Sequence, residues 1–326
     1  MGVTWSQFFP PNPALTEANL PTQQGKVFIV TGGYSGVGFE LCRILSHAGG
    51  KVYLAGRSEE KARAAIAKIK NLPTNESISP EIVFLPLELD DLSSVQQAAE
   101  IFTAAESRLD VLFNNAGVSN PPRGSVSQQG HELQLATNCL GPYLLTQLLL
   151  PTLRLTARRE VLPATVRVIW TSSIVVDTSA PQNGMDLGEL MDLSSSPQQN
   201  YVTSKVGNWF LAHALAIQCD RDGILSLVQN PGNLRTELTR HLPPIVPILA
   251  RPLLYAPQMG AYTAIWAAFS TELTMNNGGN YVLPWGRLHP SPRTDLLSAM
   301  RSKDNDGTGV AEKFVEYCSK QVERFM

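Results

Sequence analysis

Cysteine is scarce in this chain: Cys42, Cys139, Cys219 and Cys318 are the only four in 326 residues. None stands in Cys-x-x-Cys spacing, which argues against a zinc site and against a disulfide framework. Excess charge is also missing. Charged residues make up 17% and the formal net charge is −2, so no electrostatic surface for nucleic acid is expected. No apolar run approaches the ~20 residues of a membrane helix, and no basic stretch precedes an apolar one as in a secretory leader. A cytoplasmic protein is therefore expected. No serine lies in a Gly-x-Ser-x-Gly elbow, which speaks against acyl transfer. His131, His213, His241 and His289 have no motif around them and are read as core or surface histidines. What remains is a 43% hydrophobic chain, long enough to bury a full core and suited to a small neutral ligand.

Along the chain, short apolar segments alternate with segments of helical period. Strands are predicted at Lys26–Thr31, Lys51–Ala55, Ile82–Leu87, Asp110–Phe113, Thr165–Thr171 and Ile224–Gln229. Helices are predicted between them, one from a Ser58 cap to Lys70, one over Leu92–Ser107, one over Val202–Asp220. A long helical stretch over His131–Leu155 is expected to break near Gly141-Pro142. Apolar, non-alternating strands in strict β-α order imply an α/β, doubly wound parallel sheet, the Rossmann fold, in a single domain. That domain is expected over 25–290, after an N-terminal arm over 1–24 and before a helical tail over 291–326. Two segments look added to it: a polar loop over 176–199, and the apolar, proline-rich 242–257. Met1-Gly2-Val3-Thr4-Trp5-Ser6 fits a loose myristoylation pattern; the alternative is an ordinary start to a Pro-rich arm running through Pro21.

Thr31-Gly32-Gly33-Tyr34-Ser35-Gly36-Val37-Gly38 joins the first predicted strand to the first predicted helix. Glycines there allow a tight turn and let backbone N–H groups at a helix N-terminus meet a pyrophosphate. At the end of the second strand, Leu54-Ala55-Gly56-Arg57-Ser58 offers no carboxylate for a ribose 2′-hydroxyl. It offers instead the fork of Arg57 for a 2′-phosphate, which favours NADP(H).

The Gly-x-x-x-Gly-x-Gly spacing resembles the short-chain dehydrogenase/reductase family, and further motifs agree from about residue 25 to 285. Asn114-Asn115-Ala116-Gly117 resembles its NNAG motif, Tyr201-Val202-Thr203-Ser204-Lys205 its Tyr-x-x-x-Lys pair, and Asn230-Pro231-Gly232-Asn233-Leu234-Arg235-Thr236 its Pro-Gly turn. The resemblance implies catalytic roles for Asn138, Ser173, Tyr201 and Lys205. It implies cofactor contacts from Gly32, Ser35, Gly36, Val37, Gly38, Arg57, Asn115, Ala116, Gly117, Tyr201, Lys205, Pro231, Gly232, Leu234 and Thr236. Beside the adenine it implies an acid, for which the chain offers Glu88, with Asp90 as the alternative register. No metal is implied. Twenty-eight positions separate Ser173 from Tyr201, about twice the family's usual distance; retinol-dehydrogenase-like members have a similarly long segment. Phe8-Phe9-Pro10-Pro11 and Pro284-Trp285-Gly286-Arg287 resemble fungal short-chain reductases of secondary metabolism.

The implied chemistry is hydride transfer between NADP(H) and the carbonyl or alcohol carbon of a hydrophobic small molecule. Tyr201 would act as general acid or base. Lys205, one helical turn on, is expected to lower the tyrosine pKa from near ~10. Ser173 would orient the substrate oxygen, and Asn138 would hold a water that relays protons through Lys205. Alternatives are a non-enzymatic sensor or partner protein of the same fold, or non-redox chemistry with the same cofactor. Assembly into a homo-oligomer through the Tyr201 helix is a further expectation. The segment 242–257 is expected to be a mobile lid, with a fixed loop or a docking patch as alternatives.

Overall fold

The computed structural model describes residues 2–73, 79–189, 196–235 and 253–326. In chain order the principal elements are α1 (Gly2–Phe8), β1 (Val27–Thr31), α2 (Gly36–His47), β2 (Lys51–Gly56), α3 (Glu59–Lys70), β3 (Glu81–Pro86), α4 (Leu92–Ala105) and β4 (Val111–Asn114). There follow α5 (Leu133–Leu135), α6 (Gly141–Ala157), β5 (Val166–Thr171), α7 (Val175–Thr178), α8 (Pro197–Gln218) and β6 (Ile224–Gln229). The chain ends with α9 (Pro257–Phe269), β7 (Tyr281–Leu283), β8 (Arg287–Leu288), α10 (Thr294–Met300) and α11 (Val310–Val322).

The strands form one eight-stranded sheet in the order β3-β2-β1-β4-β5-β6-β7-β8. All pairings are parallel except the last, where β8 runs antiparallel to β7. The doubly wound Rossmann architecture implied by the alternating pattern is thus present, extended by two strands too short to give a periodic signal.

Why the strands read as unbroken apolar runs is now plain. In β1, Val27 and Ile29 join the core on one face while Phe28 and Val30 join the core on the other. In β5, Val166, Val168 and Trp170 face one side and Ile169 the opposite one. Helices α4, α6 and α8 cover the first face, and α2, α3 and α9 the second. The two sheet edges are partly wetted: Glu81 and Pro86 of β3 are exposed, and Arg287 and Leu288 of β8 are half-buried.

Three local expectations are corrected. Residues 2–8 of the arm are helical, because Gln7 turns inward and is held there. The stretch after His131 does not break at Gly141-Pro142: Pro142 is the second residue of α6, and the chain stays helical through it. The irregularity falls earlier, in a π-helical turn over Ala136–Leu140. Helix α8 begins at Pro197, capped by Ser196 accepting from the Gln199 N–H at 3.3 Å, five residues before Val202. The Ser58 cap is found, accepting from the Lys61 N–H at 3.3 Å.

Candidate active site

Strand order reverses between β1 and β4, so the loops leaving the C-terminal ends of these strands diverge and leave a crevice. A cleft of about 790 Å³ occupies it. Its walls include Gly32, Ser35, Gly36, Val37, Arg57, Glu88, Asp90, Asn115, Ala116, Gly117, Ser173, Tyr201, Lys205, Pro231, Gly232 and Leu234. These come from six strand ends and from α8, and the fold alone brings them together.

Of the residues expected in the site, Gly38 and Asn138 are not on the cleft wall. Gly38 lies beneath it, where a Cβ would stand 2.3 Å from the carbonyl oxygen of Gly32. Its role is to let α2 approach β1. Thr236, and 242–252 of the expected lid, lie outside the described residues. Beyond them, Leu254 lines the cleft and Tyr255 is tied down. Its N–H donates to the Asn233 carbonyl at 2.8 Å, and its hydroxyl to the Phe8 carbonyl at 3.1 Å.

At one end of the cleft, Gly32 adopts φ +68°, which a side chain rarely tolerates. A Cβ there would also press on Ala116, at 3.1 Å. Ser35 flanks the N-terminus of α2 without a side-chain hydrogen bond to it, so the first amides of that helix are left for another acceptor. The Thr31 hydroxyl accepts from the N–H groups of Asn115 (3.0 Å) and Ala116 (2.9 Å), and Asn115 Nδ2 donates to the Thr31 carbonyl at 2.9 Å. Asn115 and Ala116 therefore lock the ends of β1 and β4 together as well as lining the cleft.

Arg57 is exposed at the lip, with Ser58 and Lys61 beside it on the wall. Lys61 and Tyr34 were not singled out from sequence. Lys61, in the turn after Arg57, could have been; Tyr34 could not, because only the fold lays its ring over Gly56. Glu88 and Asp90 both line the cleft.

At the other end, Tyr201 (7% exposed) and Lys205 (3%) project from α8 toward the end of β5. Lys205 Nζ donates to the Thr171 carbonyl at 3.0 Å and lies 5.6 Å from the centre of the Tyr201 ring. Ser173 is near enough to Tyr201 to oppose the rise in its pKa, so the long segment between them still leaves both on the cleft wall.

Two electrostatic expectations need correction. Burial pushes Tyr201 up to about 12, against a smaller lowering by Ser173. Burial also pulls Lys205 down to about 8, and the lysine is not among the causes that act on the tyrosine. The Asn138 side chain, moreover, is already bonded within the protein. Its Oδ1 accepts from the Val118 N–H at 2.8 Å, while its Nδ2 donates to the Val118 carbonyl at 3.0 Å and to Ser204 Oγ at 2.9 Å. Its main-chain carbonyl is different, because four residues on stands Pro142, which has no N–H to complete an α-helical bond.

The cleft also has donors without partners among the described residues. Asn233 Nδ2 is buried on its wall, and Trp285 Nε1, also buried and unpartnered, would stand 3.8 Å from a Cβ placed on Gly232. With the glycine cradle and the uncapped helix end, these fit an elongated polar cofactor.

Known proteins are similar to this chain. A family model described as short chain dehydrogenase matches residues 26–183. A short-chain dehydrogenase/reductase of Pestalotiopsis fici is 41% identical over 319 residues, 97% of this chain and 96% of the relative. The chain belongs to the short-chain dehydrogenase/reductase family. Another member, from Neocamarosporium betae, is 42% identical over 327 residues, covering 99% of this chain and 93% of its own. Among solved structures, the RhlG protein of Pseudomonas aeruginosa in an NADP active-site complex superposes with a TM-score of 0.62 at 25% identity, over 80% of this chain and 95% of that one. As an oxidoreductase of this family, the chain carries the expected tyrosine, lysine and serine in one cleft. No described helix is long and apolar enough to cross a membrane.

Proposed function

We propose that this protein is an NADP(H)-dependent reductase of a hydrophobic carbonyl compound, with Tyr201 as general acid. The convergence of Ser173, Tyr201 and Lys205 on the wall of the cleft that Arg57 also lines carries this reading. Gly32, Ser35, Gly36 and Val37 would hold the pyrophosphate, and Arg57 with Lys61 the 2′-phosphate. Asn115, Ala116 and Gly117 would line the adenosine side with Glu88 or Asp90, and Pro231, Gly232, Leu234 and Thr236 the nicotinamide side. Bound there, the cofactor would supply a hydride to the substrate carbon.

The chain must then deliver a proton to the carbonyl oxygen. A buried tyrosine whose value is raised keeps its proton at neutral pH and so has one to give to the developing alkoxide. Ser173 would steady both the tyrosine and the substrate oxygen. Lys205 would return a proton to Tyr201, drawing on a water at the Asn138 main-chain carbonyl. Pro121, Pro122, Leu133 and Leu254 give the substrate end an apolar wall, consistent with a bulky, hydrophobic substrate such as one of secondary metabolism.

The test is NADPH oxidation against ketones, aldehydes and polyketide-like carbonyls, comparing the parent with Tyr201→Phe. The variant should bind NADPH nearly as well and turn over at least ~100-fold more slowly, the scale of a lost general acid. Equal single-turnover rates would refute the assignment.

A further inference from the structure

Gln7 is the one side chain of α1 that is fully buried, at 1% exposure, while Trp5 on the same helix is 66% exposed. Burying a primary amide costs free energy unless both its donor and its acceptor are satisfied. Here they are satisfied by Asn230 on the cleft wall and by Asp177 on α7, outside it. Gln7 Oε1 accepts from Asn230 Nδ2 at 2.8 Å, and Gln7 Nε2 donates to Asp177 Oδ2 at 2.7 Å.

Each partner leads to one side of the reaction centre. Asn230 Oδ1 accepts from the N–H of Gly232 at 3.0 Å, bracing the turn in which Gly232 adopts φ +89°. Asp177, on α7 just after Ser173, also lies 3.1 Å from His289 Nε2. The His289 ring meets Tyr281 edge-on at 6.0 Å, and the Tyr281 hydroxyl donates to the Ser173 carbonyl at 2.8 Å. The helix that carries Gln7 is itself pinned. Arg287 donates to the Ser6 carbonyl and hydroxyl at 2.6 and 2.8 Å, and Tyr255 donates to the Phe8 carbonyl.

We infer that Gln7 is a positioning residue that spans the Pro231-Gly232 turn and the Ser173 segment, making the N-terminal helix part of the catalytic apparatus. This rests on the reading of the cleft as a carbonyl-reducing site. An amide meets both partners: a carboxylate would keep the bond from Asn230 and oppose Asp177, and an apolar side chain would leave Asn230 Nδ2 without its acceptor and Asp177 with His289 alone.

Three variants separate this role from general support of the fold: Gln7→Ala, the isosteric Gln7→Glu, and Gln7→Glu combined with Asp177→Asn, which returns a donor opposite the new carboxylate. In cofactor-free protein, the Gly232 amide should exchange about 10-fold faster in Gln7→Ala, as for the loss of roughly one hydrogen bond. It should stay near the parent in Gln7→Glu, where the acceptor for Asn230 survives. Single-turnover NADPH oxidation should fall at least ~10-fold in both single variants, the effect of misplacing reacting groups, with the KM for NADPH nearly unchanged. The double variant should recover most of the rate. Parent-like exchange and turnover in Gln7→Ala would overturn the inference. So would a loss of rate that follows the melting temperature and is not recovered in the double variant. A parent protein that oxidises NADPH with no carbonyl would instead count against the proposed function, and the exchange experiment would still decide whether Gln7 braces the turn.

Discussion

Lys205 illustrates how burial changes what a residue can do. Its folded value of about 8 lies below the ordinary 10.5. Below about pH 8 both folded and unfolded chains carry the proton, and burying the charge costs stability. Between about pH 8 and 10.5 the folded chain has released its proton while the unfolded chain still holds it, so this residue's contribution improves as pH rises through that window. Lys205→Met removes the effect at nearly constant volume. Urea unfolding of both cofactor-free proteins should show the parent gaining on the variant by up to about 3 kcal/mol across the window, at ~1.4 kcal/mol per pKa unit. A difference that ignores pH would contradict the assigned shift. Arg57 makes the opposite case, since at the exposed lip it has little to stabilise in the protein itself. Arg57→Ala should leave the melting temperature unchanged and weaken NADPH, but not NADH, by roughly 1.5–3 kcal/mol, the range for a charged hydrogen bond. Calorimetric titration of both cofactors checks it.

At the scale of elements, the junction of β1 with α2 is set by space rather than by contacts made. Gly38→Ala would place a methyl carbon 2.3 Å from the Gly32 carbonyl oxygen and 2.8 Å from Asn115 Nδ2. Both belong to the cleft, so α2 must retreat from the loop that would hold the pyrophosphate. The expected result is a loss of about 1–3 kcal/mol of stability, typical of overpacking, with cofactor affinity falling further than stability does. Fluorescence titration with NADPH beside thermal unfolding would measure both, and an unchanged affinity would show that the junction tolerates the shift. The π-helical turn over Ala136–Leu140 is a second such device. It turns the Asn138 side chain onto Val118 and Ser204 and stands directly before Pro142. Irregular helical turns of this kind cluster at functional sites.

For the whole molecule, the two ends of the chain close around the catalytic strands. The N-terminal helix meets Asn230 and Asp177, while the C-terminal helix α11 packs on α8 from the other side. Phe314, fully buried, stacks edge-on against Phe210 at 6.4 Å and fills the space over Gly207, where a Cβ would come within 2.7 Å of its ring. Phe314→Ala should cost about 3–5 kcal/mol, the range for an aromatic cut from a core, and chemical denaturation would read it directly. The segment after Ser173 is braced by the same tail. Arg293 donates to the Ala180 carbonyl at 2.8 Å, and Asp295 accepts from the Asn183 N–H at 3.0 Å. Since α11 occupies part of the outer surface of α8, removing residues 310–326 should expose apolar surface there and promote self-association, which light scattering against the full chain would detect.

The sequence by itself determined what depends on local order. Alternating period established the doubly wound sheet, and glycine spacing marked the phosphate loop. The Tyr-x-x-x-Lys interval put Tyr201 and Lys205 on one face of a helix, because all of these are properties of neighbours along the chain. Tertiary structure decided the rest, since it turns on what lies across space. It set the pKa values of Tyr201 and Lys205 through burial that no motif encodes. It committed the Asn138 amide to Val118, twenty residues away. It also carried Gln7 to Asn230 across 223 positions of chain. A hydrogen bond between residues so far apart leaves no periodic trace, because the chain that connects them is shaped by the sheet and not by the bond.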